Sequence, residues 1–347
     1  MTPWDSLDTM LAGTAAACAM ACAVPGVFLM LRRQSMMADA LSHTALPGVV
    51  LAFLLSHELE HRGVLPDGPG LAGARWAFLM GGATLAGVLT AYLTEAVRRL
   101  GRVEAGAALG VVYTALFAFG LLILRRFADS VHIEPSCVLF GEVEQTVLNT
   151  TVVLGHEVPW AAVTGLAALA AGAGLAVLFR RHLAVATFDP GLAAAGGVSP
   201  RAVNDLLMAF TAVVLVTVFQ SVGSILAIAM LVTPAAAARC CTDRLGRVLW
   251  VAACVAAAGA FLGHLGSRTL VPALAGPLGL DRVKDAGTAG PAAAATGGLF
   301  LLCALFGPAR GVLVTRWRAR TRRPSPAHSP ADSDPAAGPA AAGTLPA

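Results

Sequence analysis

The stretch MMADALSHTALPGVVLAFLL, residues 36–55, combines a long apolar run with two ionisable side chains. It contains one carboxylic acid, Asp39, and one imidazole, His43, four residues further on. A helix of about 20 mostly apolar residues can cross the roughly 30 Å hydrocarbon core of a membrane. Residues four apart are neighbours on a helix surface. The stretch therefore predicts a membrane-spanning helix that carries an acid and a histidine on one face.

The composition of the whole chain is typical of a membrane protein. Hydrophobic residues make up 57% of the 347 residues, 13% are charged, and the mean hydropathy is +0.74. Soluble proteins carry about 25% charged residues, so water is not the main solvent of this chain. The net charge of +4 is too small to indicate a nucleic-acid-binding protein.

Apolar stretches of spanning length recur along the chain. We place them near 10–31, 36–56, 76–94, 105–124, 159–179, 204–219, 222–238, 248–266 and 288–307. The stretch 206–238 is too long for one crossing and rather short for two, and its residues 220–223 (QSVG) interrupt it. Backbone polar groups in lipid must pair within a helix or a closed barrel. We therefore expect an all-α, polytopic helical bundle with nine transmembrane helices, or eight if one short span is re-entrant.

Arginines are unevenly shared between alternate loops. The richer set comprises Arg32, Arg33, Arg98, Arg99, Arg102, Arg180, Arg181, Arg239, Arg244, Arg247 and the cluster at 310–323. Because positive residues favour cytoplasmic loops, the N-terminus is predicted outside and the C-terminus inside. Residues 1–310 are then the transmembrane domain, and 311–347 a cytoplasmic tail that is first basic and then Pro/Ala-rich and disordered.

The Asp39 and His43 pair is the strongest candidate for a ligand site. Pro47 lies four residues after His43 and lacks the N–H that would bond the His43 carbonyl. A carboxylate, an imidazole and a carbonyl oxygen suit Zn²⁺ or Mn²⁺ better than soft Cu(I). Alternatively, Asp39 lies in the first turn of its helix, where it caps free N–H groups and interacts with the helix dipole, and His43 donates a hydrogen bond to a neighbouring helix. Ionisable residues within spans are costly and usually functional, which favours the ligand interpretation.

Four stretches in order resemble one family. ADALSHTALPGVVLAFLL resembles the second-span motif G-D-x-L-[SA]-H-[AS]-x-L-x-G of the permease subunits of manganese-, zinc- and iron-type ABC importers, with Ala38 and Thr44 as departures. HIEPSCVLFGEVEQ resembles that family's outer loop, with its L-F-G-[DE] signature. TFDPGLAAAGGVSP resembles its cytoplasmic F-D-P segment, and SVGSILAIAMLVTPAAAARCCTDRL resembles its P-A-A-x-A-R run. The resemblance covers roughly residues 10–310.

The resemblance implies a function and a set of partners. Asp39 and His43 would coordinate a transported Mn²⁺, Zn²⁺ or Fe²⁺ ion, with no permanently bound cofactor and no covalent catalysis by this chain. An extracytoplasmic metal-binding protein would deliver the ion, and a cytoplasmic ATPase subunit would drive transport. The permease would pair with a second copy or a sister permease in the inner (plasma) membrane of a bacterium.

The F-D-P segment is the candidate for contact with the ATPase. The matching residues are Phe188, Asp189, Pro190, Ala193 and Gly197. We expect a short helix here, shortened further because Gly191 and Gly196 each cost a helix about 1 kcal/mol relative to Ala; an ordinary polar loop is the alternative. The chain cannot be the ATPase itself, because its only lysine, Lys284, lies outside any Gly-Lys-Ser/Thr loop.

Several histidines and acids are expected on the outer face as a solvated rim or a gate. They are His57, Glu58, His61, His132, Glu134 and Glu142. The run HELEH, residues 57–61, also matches H-E-x-x-H, the zinc motif of metalloproteases. An intramembrane zinc protease is therefore a rival function, although no acid within a later span offers a third ligand. The sequence is also compatible with a gradient-driven secondary transporter and with a permease for a metal chelate or corrinoid.

Overall fold

The computed structural model describes residues 4–62, 71–127, 150–153, 156–275 and 287–321. Twelve α-helices and one β-hairpin occupy these ranges. The helices are α1 (Ser6–Leu31), α2 (Met36–His61), α3 (Leu71–Leu100), α4 (Ala105–Phe127), α5 (Trp160–Leu178), α6 (Arg180–Phe188), α7 (Pro190–Ala195), α8 (Pro200–Val222), α9 (Ser224–Cys241), α10 (Leu245–Ala275), α11 (Ala289–Phe306) and α12 (Val312–Thr321). The antiparallel strands β1 (Thr150–Val153) and β2 (His156–Pro159) directly precede α5.

The predicted all-α membrane fold is confirmed. Within the described ranges, eight helices are long and apolar enough to cross a membrane: α1, α2, α3, α4, α5, α8, α10 and α11. A ninth, α9, has a shorter apolar run, Leu226–Cys241. The expectation of eight or nine spans therefore corresponds to eight helices of full length and one short helix.

The break predicted within 206–238 occurs at one residue. Gly223 ends α8 and begins α9, with φ of 80° and ψ of 165°. This backbone conformation is essentially restricted to glycine, because a Cβ would clash there. The long apolar stretch is therefore divided into two helices without a loop.

One part of the bundle, formed by α1, α9, α10 and α11, is packed through small residues. A Cβ on Gly26 of α1 would overlap the backbone of Leu231 in α9. A Cβ on Gly263 of α10 would overlap Ala292 in α11. Small residues let helix backbones approach closely in a membrane. The apolar span of α1 is accordingly 78% buried.

A second part consists of α2, α3 and α4, with α8 packed between it and α1. Gly48 of α2 and Gly82 of α3 lie so close that a Cβ on either would overlap the other's carbonyl oxygen. The outer surfaces of α3 and α4 are much less covered, since only 22% of each apolar span is buried. This part of the bundle carries the candidate site.

Contacts at the helix ends show how the chain runs through the bundle. Asp8, at the start of α1, pairs with Arg268 near the end of α10, and its Oδ1 lies 3.3 Å from Nε2 of His264. At the opposite end of α10, the N–H groups of Ala309 and Arg310 bond to the Cys240 carbonyl oxygen at 3.2 and 3.1 Å. Residues 4–8 and 307–311 therefore lie at opposite ends of the bundle.

The basic part of the predicted tail begins as a helix, α12 (Val312–Thr321). The Pro/Ala-rich remainder, residues 322–347, lies outside the described residues. Which end of the bundle faces the cytoplasm remains a prediction from the arginines.

Candidate metal site

The start of α2 is held in place by the turn that precedes it. Arg33 adopts a left-handed conformation with φ of 59°, and the Gln34 N–H bonds to the Leu29 carbonyl oxygen at 2.8 Å. Arg32 then reaches across the bundle: its Nε donates to Thr187 Oγ1 at 3.1 Å and its Nη1 to Asn204 Oδ1 at 3.2 Å. Burial lowers the pKa of the Arg32 guanidinium, because desolvation disfavours its charged form. The turn therefore ties α2 to α6 and α8.

Asp39 and His43 lie side by side on α2, as their spacing predicted. His43 Nε2 is 3.5 Å from Asp39 Oδ1. The side chain of Asp39 is 51% exposed and that of His43 is 33% exposed, so both are accessible in the single chain. Ser35 occupies the N-cap position of α2, and Asp39 is the fourth residue of the helix. Asp39 is therefore not the N-cap residue, but it is the acid in the first turn of α2, where a carboxylate interacts favourably with the helix dipole.

Helix α4 orients the His43 imidazole. Tyr113 stacks on the imidazole, with ring centroids 6.0 Å apart and an interplanar angle of 21°. Phe117 meets it edge-on at 5.2 Å. One turn further, Gly120 lets α4 lie against Pro47, where a Cβ at position 120 would clash with the proline ring. Residues 113, 117 and 120 thus form one face of α4 that holds the imidazole and the proline.

The pair offers two of the ligands that a divalent ion needs. An imidazole nitrogen and a carboxylate oxygen are both good ligands for Zn²⁺ and Mn²⁺. Among the described residues, no group of three or more His, Cys, Asp or Glu side chains is arranged to hold a metal ion. A zinc ion in a protein usually takes four ligands. The described part of one chain therefore offers two candidate ligands here, fewer than the four that a zinc ion usually takes.

The F-D-P segment folds as the predicted short helix, six residues long. Asp189 caps it by accepting a bond from the Leu192 N–H at 2.9 Å, and Pro190 occupies its first turn. Ala193 is 1% exposed and points into the protein. Gly197, with φ of 78°, closes the helix. Four of the five predicted residues therefore shape α7 or anchor it.

The outward surface of this segment is apolar. Phe188, 62% exposed, and Leu192, 61% exposed, project from the end of α6 and from α7. Sequence reasoning named Phe188 and missed Leu192. The signal was present as two large apolar residues four apart in a stretch otherwise made of small and polar residues.

A cavity of about 840 Å³ opens beside α7, between α3 and the starts of α2, α4 and α8. Its lining carries more positive than negative side chains: Arg32, Arg33, Arg98, Arg99 and Arg201 against Glu95 and Asp205. Two of the arginines, Arg98 and Arg99, already pair with Glu95. The excess of positive charge disfavours a resting place for a metal cation.

The other end of α2 carries the candidate rim. Arg62 holds Glu58, with Nη2 2.8 Å from Oε1. His57 and His61 face each other, with their Nε2 atoms 3.2 Å apart. The remaining candidates, His132, Glu134 and Glu142, lie outside the described residues. A metalloprotease would use Glu58 as its general base, and here that carboxylate is paired with an arginine.

Comparisons with known proteins agree with the resemblance drawn from the motifs. The model of the ABC 3 transport family matches residues 6–278. The chain is 32% identical to the manganese transport system membrane protein MntD of Bacillus subtilis, over 90% of this chain and 96% of that protein. It is 33% identical to the zinc transport system membrane protein TroD of Treponema pallidum, over 84% of this chain and 72% of that protein.

A third relative and one solved structure extend the comparison. The chelated iron transport system membrane protein YfeC of Yersinia pestis is 31% identical, over 90% of each chain. A chain of PsaBC from Streptococcus pneumoniae, solved in complex with Fab, superposes with a TM-score of 0.66 and 23% identity, over 90% of this chain and 96% of that one. That structure shares the fold. From the family match and the relatives together, the chain belongs to the ABC 3 transport family.

Proposed function

We propose that this chain is the membrane permease subunit of an ATP-driven importer of a divalent transition metal ion, Mn²⁺, Zn²⁺ or Fe²⁺. It would work in the inner membrane of a bacterium, with its N-terminus outside and its C-terminus inside. The chain itself would catalyse no covalent reaction and hold no permanent cofactor. A separate cytoplasmic subunit would hydrolyse ATP, and an extracytoplasmic binding protein would deliver the ion.

The observation that carries the proposal is the Asp39–His43 pair on α2. Their side chains lie 3.5 Å apart on a helix of spanning length, and both are partly exposed. Ionisable groups in a membrane span are costly unless they face a polar path or a partner. Metal coordination would use both side chains and would give the ion a binding site within the transport pathway. The substrates named for the relatives support a divalent metal.

The same exposure supports a dimeric pathway. Asp39 lies in the first turn of α2 with half of its side chain exposed in the single chain, and covering it with lipid instead of a polar partner would cost desolvation energy. A second permease, identical or a sister chain, would cover the pair and contribute its own ligands. Two such pairs would supply two carboxylates and two imidazoles, enough for the four-ligand shell that a zinc ion prefers.

Contact with the ATPase is assigned to the segment 188–197. Its exposed Phe188 and Leu192 offer an apolar contact, while the cap at Asp189 and the left-handed Gly197 give the segment a defined shape. A small, ordered apolar projection is well suited to fit a groove on a soluble partner. Motion of that partner would then reach α8 and the α1–α2 turn, since Arg32 bonds to both Thr187 and Asn204.

Metal uptake by cells that lack their own high-affinity importers tests the proposal. The chain is co-expressed with candidate ATPase and binding-protein subunits from the same organism, and Mn, Zn and Fe accumulation is measured. We expect uptake of one metal that requires the ATPase and falls to background in Asp39→Ala and in His43→Ala. Asp39→Asn separates the loss of charge from the loss of volume.

Two matched variants control for general damage. Asp205→Ala removes an exposed carboxyl near the start of α8, and His182→Ala removes an exposed imidazole from α6. Both are expected to retain uptake at equal membrane expression. Uptake that survives Asp39→Ala and His43→Ala would overturn the site, and uptake that is independent of the ATPase would indicate a secondary transporter.

A further inference from the structure

We propose that His57 and His61 form a second divalent-metal site, at the end of α2 opposite Asp39, with Glu60 as its orienting carboxylate. The ligand class is a borderline divalent cation, of which Zn²⁺ is the model. Given the import direction of the proposed function, on which this inference rests, the site would take metal from the outer side before it reaches Asp39 and His43.

The geometry of the two imidazoles carries the proposal. Their Nε2 atoms are 3.2 Å apart, and the rings meet edge to face with centroids 4.5 Å apart. Two nitrogens bound tetrahedrally to one zinc ion at 2.0–2.1 Å would be about 3.3 Å apart. Both side chains are exposed at the end of the helix, so a hydrated ion can reach them. The nitrogens are therefore spaced as two ligands of one ion.

Glu60 lies beside the ring nitrogen of His57 that must carry a proton when Nε2 binds a metal. Its Oε2 lies 3.9 Å from His57 Nδ1, beyond hydrogen-bond distance; an approach of about 1 Å would hold a proton on that nitrogen and leave the His57 Nε2 lone pair free. With that tautomer, the contact of 3.2 Å in the metal-free pair would be a hydrogen bond from His61 Nε2 to His57 Nε2. Metal binding requires only that the His61 proton move to its Nδ1. Phe53 supports the arrangement by stacking on His57 at 6.3 Å and 13°.

A second feature of Glu60 also indicates a polar partner. Its Oε1 is buried and has no hydrogen-bond partner among the described residues. Glu58, by contrast, forms an ion pair with Arg62, with Oε1 2.8 Å from Nη2. The carboxylate that remains available beside the histidines is thus Glu60. A metal ion would add a positive charge next to this carboxylate, whose Oε1 has no hydrogen-bond partner among the described residues.

The spacing along α2 aligns this pair with the first one. Asp39 and His57 are eighteen residues apart, as are His43 and His61. At 3.6 residues per turn, eighteen residues make about five turns, or about 27 Å of helix. The two pairs therefore lie on the same face of α2, one near each end. Apolar residues, including Val50 and Phe53, occupy the face between them.

The chemistry of the pair predicts a metal preference. Imidazole sites bind Mn²⁺ more weakly than they bind Co²⁺, Ni²⁺, Cu²⁺ or Zn²⁺. The His57–His61 pair should therefore hold Zn²⁺ or Co²⁺ in preference to Mn²⁺, with water completing the shell. Equal binding of Mn²⁺ and Zn²⁺ would contradict an imidazole site.

A zinc titration of the full-length chain in detergent tests the inference. Asp39 and His43 are first replaced by alanine, so that the signal comes from elsewhere, and Zn²⁺ is titrated against a chromogenic chelator. We expect His57→Ala and His61→Ala each to weaken the remaining site by tenfold or more, with no further loss in the double variant. His182→Ala is the matched control and should leave Zn²⁺ affinity unchanged. Glu60→Gln should weaken it by about tenfold, the lower end of outer-shell effects.

X-ray absorption at the zinc edge gives a second readout, with two imidazole nitrogens expected per ion and none in the double variant. His57→Gln and His61→Gln repeat the test with the side-chain bulk retained. Zn²⁺ affinity that is unaffected by both substitutions would overturn the inference. If metal uptake requires Asp39 but no zinc binds at His57 and His61, the proposed function stands and this second site is rejected. If zinc binds at His57 and His61 but metal uptake does not depend on Asp39, the second site stands and the proposed role of Asp39 is rejected.

Discussion

The two parts of the bundle use their residues differently. In α1, α9, α10 and α11, glycines such as Gly26 and Gly263 touch neighbouring backbones directly, and little of α1 is exposed. In the second part, Gly48 and Gly82 make a similar contact, but only 22% of the apolar spans of α3 and α4 is buried, and Asp39 and His43 of α2 are partly exposed. We infer that close packing around the buried α1 mainly determines stability in the first part, and that the second part keeps ionisable surface free for an ion and a partner chain. Substitutions in the first should change stability, and substitutions in the second should change transport.

The largest effect on stability is expected at Gly263. Its replacement by alanine places a methyl group within the backbone of Ala292, and such overpacking costs about 3 kcal/mol. Gly266→Ala, three residues along the same helix, has nothing within 4 Å and is the matched control. It should keep or slightly raise stability, because alanine favours a helix by up to about 1 kcal/mol. Thermal unfolding in detergent measures both, and equal melting temperatures would show that the close contact of α10 with α11 does not stabilise the first part.

Gly223, where α8 meets α9, should give the next largest effect. Alanine there is held at φ of 80° and ψ of 165°, a strain of about 2 kcal/mol. Gly246→Ala, a helical glycine with nothing within 4 Å, is the control. The same unfolding measurement applies. A Gly223→Ala chain as stable as the control would mean that the junction relaxes and that the two parts are less rigidly joined.

The exposed segment 188–197 should show a functional effect without a structural one. The double variant Phe188→Ser, Leu192→Ser removes the apolar projection from the surface and should lower ATPase-dependent uptake by about tenfold, equivalent to about 1.4 kcal/mol. Its melting temperature should match the parent. Leu100→Ser, an 88% exposed leucine at the end of α3, is the control for surface apolarity. Normal uptake by the double variant would assign the ATPase contact elsewhere.

The smallest effect on stability is expected at Asp39 and His43. Their contact is 3.5 Å long and partly exposed, and pairs of this kind contribute about 0–1 kcal/mol. Asp39→Ala and His43→Ala should therefore melt within a few degrees of the parent while uptake is lost. A large fall in melting temperature would instead show that the pair stabilises the fold. The second part of the bundle would then resemble the first in depending on these contacts for stability.

Much of the fold could be predicted because apolar length is a local property. The spans, the break near Gly223 and the short helix after Asp189 all follow from neighbouring residues. The pairing of Asp39 with His43 follows from helical spacing in the same way. The hairpin before α5 and the helix α12 were missed, because strands of four residues and a short basic helix leave weak patterns.

Long-range contacts were beyond sequence reasoning. Nothing near His43 indicates that Tyr113 and Phe117 will orient it, since that depends on how α4 docks on α2. The pairing of Asp8 with Arg268 joins residues 260 positions apart. The distribution of burial was hidden for the same reason. All the apolar spans look alike as sequence, and only packing distinguishes the buried α1 from the exposed α4.

The position of Pro47 gives α2 a mechanical property. If α2 is rigid, a rotation about its axis moves Asp39 and His57 through the same angle. Separate movement of the two ends requires a bend between them. Pro47 lies between the two pairs and lacks one backbone hydrogen bond, which makes it the point of least bending stiffness. Gly120 brings α4 directly against Pro47. A bend of α2 at this position would therefore move its two halves about their contact with α4.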